Sequence, residues 1–325
     1  MLPNVIFLLG PTASGKTALA LQLADRFPVE LVSVDSALVY RDMNIGTAKP
    51  DAATLARYPH QLINLIDPPE AYSAARFCTY AMQAIRAIHS RGNTPLLVGG
   101  TMLYVKSLME GLSDMPPADA TIRQLLDQRL HRQGLPALYA ELMRIDAITA
   151  ARLKPADKQR ILRALEVFLI TGKPISELQK RTQNLAEDRT EESAAVPSAF
   201  NFPTLMIGLV PSDRAVLHQR IAERFDTMLQ NGLIDELREL RERYLLTPEM
   251  PSMRAVGYRQ AWKFLDGEID LQALRATGII ATRQLAKRQL TWLRGMGNVE
   301  NVDCLRPDLT EAVAGRVGNF LQPSV

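Results

Sequence analysis

The sequence has few of the residues from which disulfide frameworks and zinc sites are built. Its 325 residues include two cysteines, Cys78 and Cys304, and four histidines. The cysteines lie far apart in the chain, and no Cys/His pairs have the spacing of a zinc motif. We therefore expect a reduced protein without disulfides or a structural zinc site. A chain of this length can instead bury a substantial apolar core.

Long apolar runs and a strong net charge are also absent. No run approaches the roughly 20 apolar residues that span a bilayer, and the first predicted strand begins at Val5, which leaves no room for a signal peptide. We therefore expect a cytoplasmic protein without membrane contact. The formal net charge of +3 is too small to establish a nucleic-acid partner, so that question depends on where the charges lie.

A glycine-rich motif stands between a short apolar run and a helical pattern. Val5–Leu9 is long enough for one buried strand, and Gly10–Thr17, which we call the phosphate loop, reads GPTASGKT. A strand, such a loop and a helix direct backbone N–H groups and the positive end of the helix dipole at an anion. Lys16 would reach the outer phosphate oxygens, and the Thr17 hydroxyl would ligate Mg²⁺. The motif predicts a di- or triphosphate site but does not identify the ligand.

Short apolar runs alternate with helical patterns along much of the chain. Because such alternation is typical of a parallel sheet covered by helices, we predict an α/β fold of the P-loop type with a mainly parallel sheet. The predicted strands are Val5–Leu9, Glu30–Val34, Pro95–Gly99 and Thr204–Val210, with an edge strand at Asn298–Val302. The predicted helices around them are Lys16–Phe27, Ala74–Ser90, Met102–Glu110, Asp213–Asn231, Ile234–Tyr244, Met253–Leu265 and Leu271–Arg294.

Between Asp114 and about Phe200 the strand patterns give way to helical ones. Pro116 and Pro117 open this segment, and the polar stretch Thr182–Ser198 that closes it is predicted to be a mobile surface loop. We therefore predict a core of residues 1–113 and 201–325, with an all-helical insertion domain at 114–200. The helices predicted within the insertion are Ala120–Gln133, Pro136–Arg144, Ala147–Leu153 and Ala156–Thr171.

A carboxylate and a glycine pair follow two of the predicted strands. Asp35 ends the second strand, at the edge where such sheets bind ligands; it is either a general base or a helix-cap or turn residue. The third strand ends in Gly99-Gly100-Thr101, where ATPases and GTPases usually place an acid that helps to hold Mg²⁺. The missing acid disfavours a motor ATPase or a switch GTPase, although Gly-Gly can also be a simple turn.

Basic residues cluster in three helical segments and are interleaved with Tyr258, Trp262 and Trp292. Such clusters fit a polyanion with exposed bases, but they also occur on solvated helix faces. Arg220 and Arg224 share one helix face and would neutralise an anionic leaving group or form surface ion pairs. The clustered bases are Arg152, Lys154, Lys158, Arg160 and Arg163; Arg254, Arg259 and Lys263; and Arg283, Lys287, Arg288 and Arg294.

Taken in order, these motifs resemble the tRNA dimethylallyltransferases, in their compact bacterial form without a C-terminal zinc finger. The resemblance covers nearly the whole chain except the polar stretch and the C-terminal tail. It is carried by Gly10–Thr17, Asp35–Arg41, Asn44–Pro50, Leu97–Tyr104, Asp157–Glu166, Arg254–Gln260 and Thr282–Arg294. It implies transfer of the dimethylallyl group of dimethylallyl diphosphate to N6 of adenosine 37, beside the tRNA anticodon, with release of pyrophosphate.

The resemblance also implies a role for each matching residue. Asp35 would be the general base, Thr101 would orient the adenine amine, and Arg224 would stabilise the leaving pyrophosphate. The diphosphate would be held by Gly10, Pro11, Thr12, Ala13, Ser14, Gly15, Lys16 and Thr17, with the cofactor Mg²⁺ on Thr17. The residues implied to contact tRNA are Asp35, Ser36, Ala37, Leu38, Thr101, Arg123, Gln159, Arg160, Ile161, Leu162, Arg163, Arg254, Ala255, Val256, Gly257, Tyr258, Arg259, Lys287, Arg288, Trp292 and Arg294. We expect the protein to act as a monomer.

Two other functions stay open on the sequence alone. A small-molecule or nucleotide kinase would use the same loop for ATP, with the helical insertion closing as a lid. A non-catalytic RNA-binding protein would use the nucleotide only as a ligand. Gly100-Thr101 in place of an acid and the spread of bases over separate helices disfavour the kinase. Asp35 at the sheet edge argues against the binding protein.

Overall fold

The core of the molecule is a parallel sheet. The computed structural model describes residues 3–111, 115–116, 118–179 and 200–322, and its six strands lie in the order β3-β2-β4-β1-β5-β6 with every pair parallel. The predicted fold class, a mainly parallel sheet flanked by helices, is confirmed. The strands are β1 Val5–Leu9, β2 Val29–Val34, β3 His60–Gln61, β4 Thr94–Gly99, β5 Thr204–Val210 and β6 Glu300–Asp303.

The central strand is apolar along its whole length because helices cover both faces of the sheet. All five residues of β1 are fully buried. Phe7 and Leu9 point into one core cluster, and Ile6 and Leu8 point into another. Side chains alternate across a strand, so a continuous apolar run is what a strand buried on both faces requires.

Helices follow most of the strands, and the sequence did not predict the helices Ala52–Arg57 (α2) and Leu309–Leu321 (α12) or the two-residue strand β3. No helix in the described part of the chain is both long and apolar enough to cross a membrane. The helices are α1 Lys16–Ala24, α2 Ala52–Arg57, α3 Ala74–Ser90, α4 Met102–Glu110, α5 Ala120–Ile145, α6 Ala147–Arg152, α7 Lys158–Thr171, α8 Arg214–Gln230, α9 Leu233–Arg243, α10 Tyr258–Leu265, α11 Leu271–Arg294 and α12 Leu309–Leu321.

Most boundaries agree with the sequence prediction or differ from it by one to three residues, and the start of α10 differs by five. Helix α10 begins at Tyr258, not at Met253, because Gly257 has a left-handed φ of 95° and residues 251–256 form turns. The edge strand β6 covers Glu300–Asp303 and pairs with β5. It starts two residues later than predicted. The polar stretch at 182–198 lies outside the described residues.

The chain divides into two compact units, residues 1–110 with 199–325 and residues 111–198. The described part of the second unit is helical and has its own apolar cluster, in which Leu138, Leu142 and Ile161 are fully buried. Its first helix, α5, is kinked at Gly134, where φ is +77° and Pro136 follows. A residue in this conformation cannot continue an α-helix. The two helices predicted separately from the sequence therefore correspond to the two sides of this kink.

The Glu236 carboxylate anchors the loop of residues 44–50, which we call the 44–50 loop. The backbone N–H groups of Asn44 and Ile45 donate to its Oε2 at 2.8 and 2.7 Å, and that of Gly46 donates to its Oε1 at 3.2 Å. The buried Tyr258 hydroxyl donates to Oε1 at 2.5 Å. Burial and the nearby Glu236 carboxylate raise the pKa of Tyr258, so the phenol remains a donor at neutral pH.

Glu236→Ala is therefore expected to lower the free energy of unfolding by roughly 2–4 kcal/mol, because it leaves several partly buried donors without an acceptor. Urea unfolding followed by circular dichroism measures the change. Glu239→Ala is the matched control, since Glu239 is exposed on the same helix and its loss should change the value by less than about 0.5 kcal/mol. Equal effects of the two substitutions would contradict the anchoring role.

Candidate active site

The sheet brings three predicted segments to one edge. The phosphate loop follows β1, Asp35 follows β2, and Gly100 and Thr101 follow β4. The ends of the strands are aligned, because Gly99 of β4 is paired with Leu9 of β1 on one side and with the last residue of β2 on the other. A Cβ at Gly99 would overlap the backbone of that neighbour, so glycine permits the close approach.

The phosphate loop has the backbone of an anion-binding turn. Ala13 and Gly15 have left-handed φ values of 63° and 87°, and α1 begins directly after Gly15. The Ser14 hydroxyl is buried and has no hydrogen-bond partner among the described residues. The Lys16 ammonium donates to the Pro11 carbonyl at 2.9 Å. Buried polar groups normally have partners, so an unpaired hydroxyl and a helix N-terminus fit a ligand rich in oxygen atoms.

A cavity of about 160 Å³ lies beside the loop and contains most of the predicted reaction residues. Thr12, Lys16 and Thr17 line it from the loop, Asp35 from the end of β2, and Arg224 from α8. The 44–50 loop and α11 contribute further walls. The predicted partner of Arg224 on the same helix face, Arg220, does not line the cavity. The structure thus places Arg224, the arginine to which the resemblance gives a role, at the cavity, and Arg220 outside its lining.

The charges of the cavity favour an anionic ligand. Burial lowers the pKa of Lys16 to about 8, with Asp35 opposing the shift and Arg224 adding to it. Burial also lowers the pKa of Arg224, again opposed by Asp35. Within the described residues neither cation has an ion-pair partner inside 4.0 Å. Two partly desolvated cations with one nearby carboxylate are stabilised when a polyanion enters.

The two carboxylate oxygens of Asp35 differ in their contacts. Its Oδ1 accepts the Ala37 N–H at 2.8 Å, which is a turn interaction. Its Oδ2 has no hydrogen-bond partner in the described residues, so one carboxylate oxygen remains available as a base. Thr101 lies close by, since its Oγ1 accepts the Ser36 N–H at 3.1 Å. These contacts join the ends of β2 and β4 across the sheet edge.

The donor set at the loop fits a magnesium ion held jointly with a phosphate ligand. Thr17 is exposed, lines the cavity and has no hydrogen bond from its hydroxyl in the described residues. No cluster of three or more His, Cys, Asp or Glu side chains suited to a metal occurs among those residues. Mg²⁺ commonly takes few protein ligands together with substrate phosphates and water, and Thr17 with Asp35 nearby is such a set.

The residues predicted to contact tRNA differ in accessibility. Ile161 and Tyr258 are fully buried and Gly257 is buried, so the first two side chains do not reach the surface. Trp292 is 41% exposed, which is unusual for so large an apolar side chain. The other exposed members are Ser36, Arg123, Gln159, Arg160, Arg254, Arg259, Lys287, Arg288 and Arg294, while Asp35, Ala37, Leu38, Thr101, Leu162, Arg163, Ala255 and Val256 are half-buried.

Two of the predicted contacts in the helical unit share one buried acid. The Glu166 side chain is 2% exposed and accepts from Arg123 at 2.8 Å and from Arg163 at 2.7 Å. Burial raises the pKa of Glu166, but the hydrogen bonds from these arginines outweigh it and the net pKa is lowered. The ion pairs fix both guanidinium groups on the surface of the unit and offset part of their charge.

The sequence predictions gave no role to several residues at the cavity or behind its walls, among them Gln289, Ala48 and Glu236. Gln289 on α11 and Ala48 in the 44–50 loop line the cavity, and Glu236 holds that loop in place. Gln289 and Ala48 lie in segments that carry the family resemblance but were given no role there, and Glu236 lies outside those segments. Their chemistry depends on which backbone groups lie opposite them, which sequence patterns do not reveal.

Comparison with known proteins identifies the family. A sequence model of IPP transferase matches residues 38–296, and one of isopentenyl transferase matches residues 3–63. A protein of Thiobacillus denitrificans named tRNA dimethylallyltransferase is 55% identical over 98% of this chain and 98% of its own. One of the same name from Aromatoleum aromaticum is 58% identical over 100% of this chain and 98% of its own.

Solved structures agree with the sequence matches. The tRNA isopentenylpyrophosphate transferase of Bacillus halodurans is 35% identical with a TM-score of 0.68, covering 99% of this chain and 97% of that one. A eukaryotic dimethylallyltransferase acting on tRNA is 28% identical with a TM-score of 0.74, covering 97% and 77%. The resemblance drawn from the motifs is thereby confirmed. This chain belongs to the IPP transferase family.

Proposed function

We propose that the protein transfers the dimethylallyl group of dimethylallyl diphosphate to N6 of adenosine 37 in the anticodon loop of tRNA. The observation that carries the proposal is the cavity in which the phosphate loop, Lys16 and Arg224 lie beside the carboxylate of Asp35. Relatives at 55% and 58% identity over nearly the whole chain are named for this activity. The protein is a transferase that modifies tRNA.

In the proposed reaction a new C–N bond replaces a C–O bond. The adenine is extruded from the anticodon loop into the cavity, and its N6 attacks C1 of the dimethylallyl group. The C1–O bond breaks, and its electron pair leaves with pyrophosphate. The proton lost from N6 passes to Asp35, whose Oδ2 has no hydrogen-bond partner in the described residues, and Thr101 orients the amine.

The leaving group is the part of the reaction that most needs electrostatic help. Lys16 and Arg224 lie where negative charge develops on the departing pyrophosphate, and the loop N–H groups add their dipoles. Mg²⁺ held by Thr17 would neutralise further charge on the phosphate oxygens. The cations are preorganised in the cavity, so little rearrangement is needed as the bond breaks.

The tRNA-binding role proposed for the basic residues rests on their exposure. Arg254, Lys287, Arg288 and Arg294 are exposed and have no ion-pair partner in the described residues, so their charges are available for phosphate groups. The division into a core at 1–113 and 201–325 and a tRNA-contacting insertion at 114–200 is part of the proposal, as is action by a monomer.

One assay separates prenyl transfer from the kinase and the binding protein. Unmodified tRNA with A36-A37-A38 is incubated with Mg²⁺ and either dimethylallyl diphosphate or ATP, and nucleosides are analysed by mass spectrometry. We expect one C₅H₈ unit to be added to A37 with the diphosphate and no product with ATP. Release of ADP without any modified adenosine would support the kinase. Tight binding without either product would support the binding protein.

Asp35→Asn is expected to reduce kcat by about 10²- to 10⁴-fold, the usual contribution of a general base. The amide keeps an oxygen that can accept the Ala37 N–H, so tRNA affinity should stay at the wild-type value. Single-turnover transfer and filter binding measure the two quantities. Asp235→Asn, at an exposed carboxylate outside the cavity, is the control. Near-normal turnover of Asp35→Asn would show that another group takes the proton.

The affinity for dimethylallyl diphosphate is expected to fall as the pH rises through about 8, where free Lys16 loses its proton. The protonated form binds the anion, so affinity is retained below this pH and falls by up to about tenfold per unit above it. Calorimetric titration between pH 7 and 9 tests this without tRNA. Lys16→Arg stays protonated throughout and should give a flatter profile. A flat wild-type profile would contradict the assignment.

A further inference from the structure

Gln289 faces the reaction cavity from α11. It lines the cavity together with Thr282 and Leu285, which lie seven and four residues earlier on the same helix face. Residues at this spacing share one side of a helix. Lys287 and Arg288, both exposed and proposed to contact tRNA, directly precede it. One turn of α11 therefore carries basic surface residues and an inward-facing amide.

The amide of Gln289 connects two backbone segments that are remote from it in sequence. The Thr12 N–H donates to its Oε1 at 2.8 Å, and its Nε2 donates to the Gly100 carbonyl at 3.0 Å. Thr12 belongs to the phosphate loop, and Gly100 directly precedes Thr101. One side chain thus joins the segment that would hold the diphosphate to the segment that would orient the adenine.

The local geometry admits few alternatives to glutamine. A Cβ on Gly100 would overlap the Gln289 Nε2, so the glycine is needed for the amide to approach. Bridging an N–H and a carbonyl requires one acceptor and one donor on the same planar group. Methionine provides no strong donor or acceptor, and an ionised glutamate provides two acceptors and no donor. The second glycine of the Gly-Gly-Thr sequence therefore has a specific partner.

We infer that Gln289 is a positioning residue that sets the separation between the phosphate loop and Thr101, and so the distance between the prenyl carbon and the adenine amine. The inference rests on the proposed function for the identity of the substrates. Since an error of about 1 Å in the placement of reactants can reduce a rate by about 10²-fold, the bridge is expected to affect turnover more than substrate binding.

The first test compares Gln289→Met with Gln284→Met, a substitution at an exposed position on the same helix. We expect Gln289→Met to lower kcat about 10- to 100-fold with an unchanged KM for tRNA, and Gln284→Met to behave as wild type. Thermal unfolding ensures that the rates are measured well below each transition. Wild-type turnover of folded Gln289→Met, or a rise in the KM for tRNA alone, would overturn the inference.

The second test is rescue of Gln289→Glu by acid. A protonated carboxyl group has one O–H donor and one acceptor, so it can restore both hydrogen bonds. The activity of Gln289→Glu relative to wild type at the same pH should therefore increase as the pH is lowered from 8 to 5.5. The relative activity of Gln289→Met should not change. A purely structural role predicts no such recovery while both proteins remain folded, and its absence would overturn the inference.

A third measurement separates this inference from the proposed function. Inorganic pyrophosphate with Mg²⁺ binds the phosphate loop without tRNA or a prenyl group, and calorimetry gives its affinity for each variant. We expect weaker binding to Gln289→Met than to Gln284→Met, because Thr12 is no longer held. If wild type bound pyrophosphate but transferred no prenyl group, the proposed function would fail and the bridge would stand. Equal pyrophosphate affinities for the two variants would show that Gln289 does not hold the phosphate loop, and the inference would fail.

Discussion

A parallel sheet places the carboxyl ends of all its strands along one edge, and the candidate site depends on this constraint. β1, β2 and β4 end in register, so the phosphate loop, Asp35 and Thr101 meet although up to 91 positions separate them in the chain. Gly99 allows the strands to end this close together, because any side chain there would overlap the neighbouring backbone. A different order of strands would separate these residues along the edge.

The edge also concentrates positive charge, which the protein keeps away from water. Burial lowers the pKa of both Lys16 and Arg224, so placing both charges in the cavity costs electrostatic free energy. A ligand with several anionic oxygens removes that cost, which is why a diphosphate fits better than a neutral molecule. The single carboxylate, Asp35, offsets only part of the charge of the two cations. The chemistry of the site follows from this imbalance.

Several side chains from distant parts of the sequence hold the loop backbone of the site in place. Glu236 accepts hydrogen bonds from N–H groups of the 44–50 loop, and Gln289 joins the phosphate loop to Gly100. In the helical unit Glu166 fixes Arg123 and Arg163 in the same manner. Each of these three side chains ends in a carboxylate or an amide, so one side chain can form hydrogen bonds with two or more partners. This is how loops, which lack the regular hydrogen bonds of helices and strands, can still present reacting groups accurately.

Much of the protein was predictable because its sequence signals are local. The bounds of β1, β5, α3, α4 and α11 agree with the apolar periodicity, and the phosphate loop is recognised from eight consecutive residues. Local patterns could not place α2, β3 or α12, nor the start of α10, which Gly257 determines. The sequence by itself determined the fold class, the family and the anion-binding motif, since these depend on neighbouring residues. Only the tertiary structure buried Tyr258 against Glu236 and placed Gln289 between two loops. Those outcomes depend on contacts between residues far apart in the chain, which no local pattern encodes.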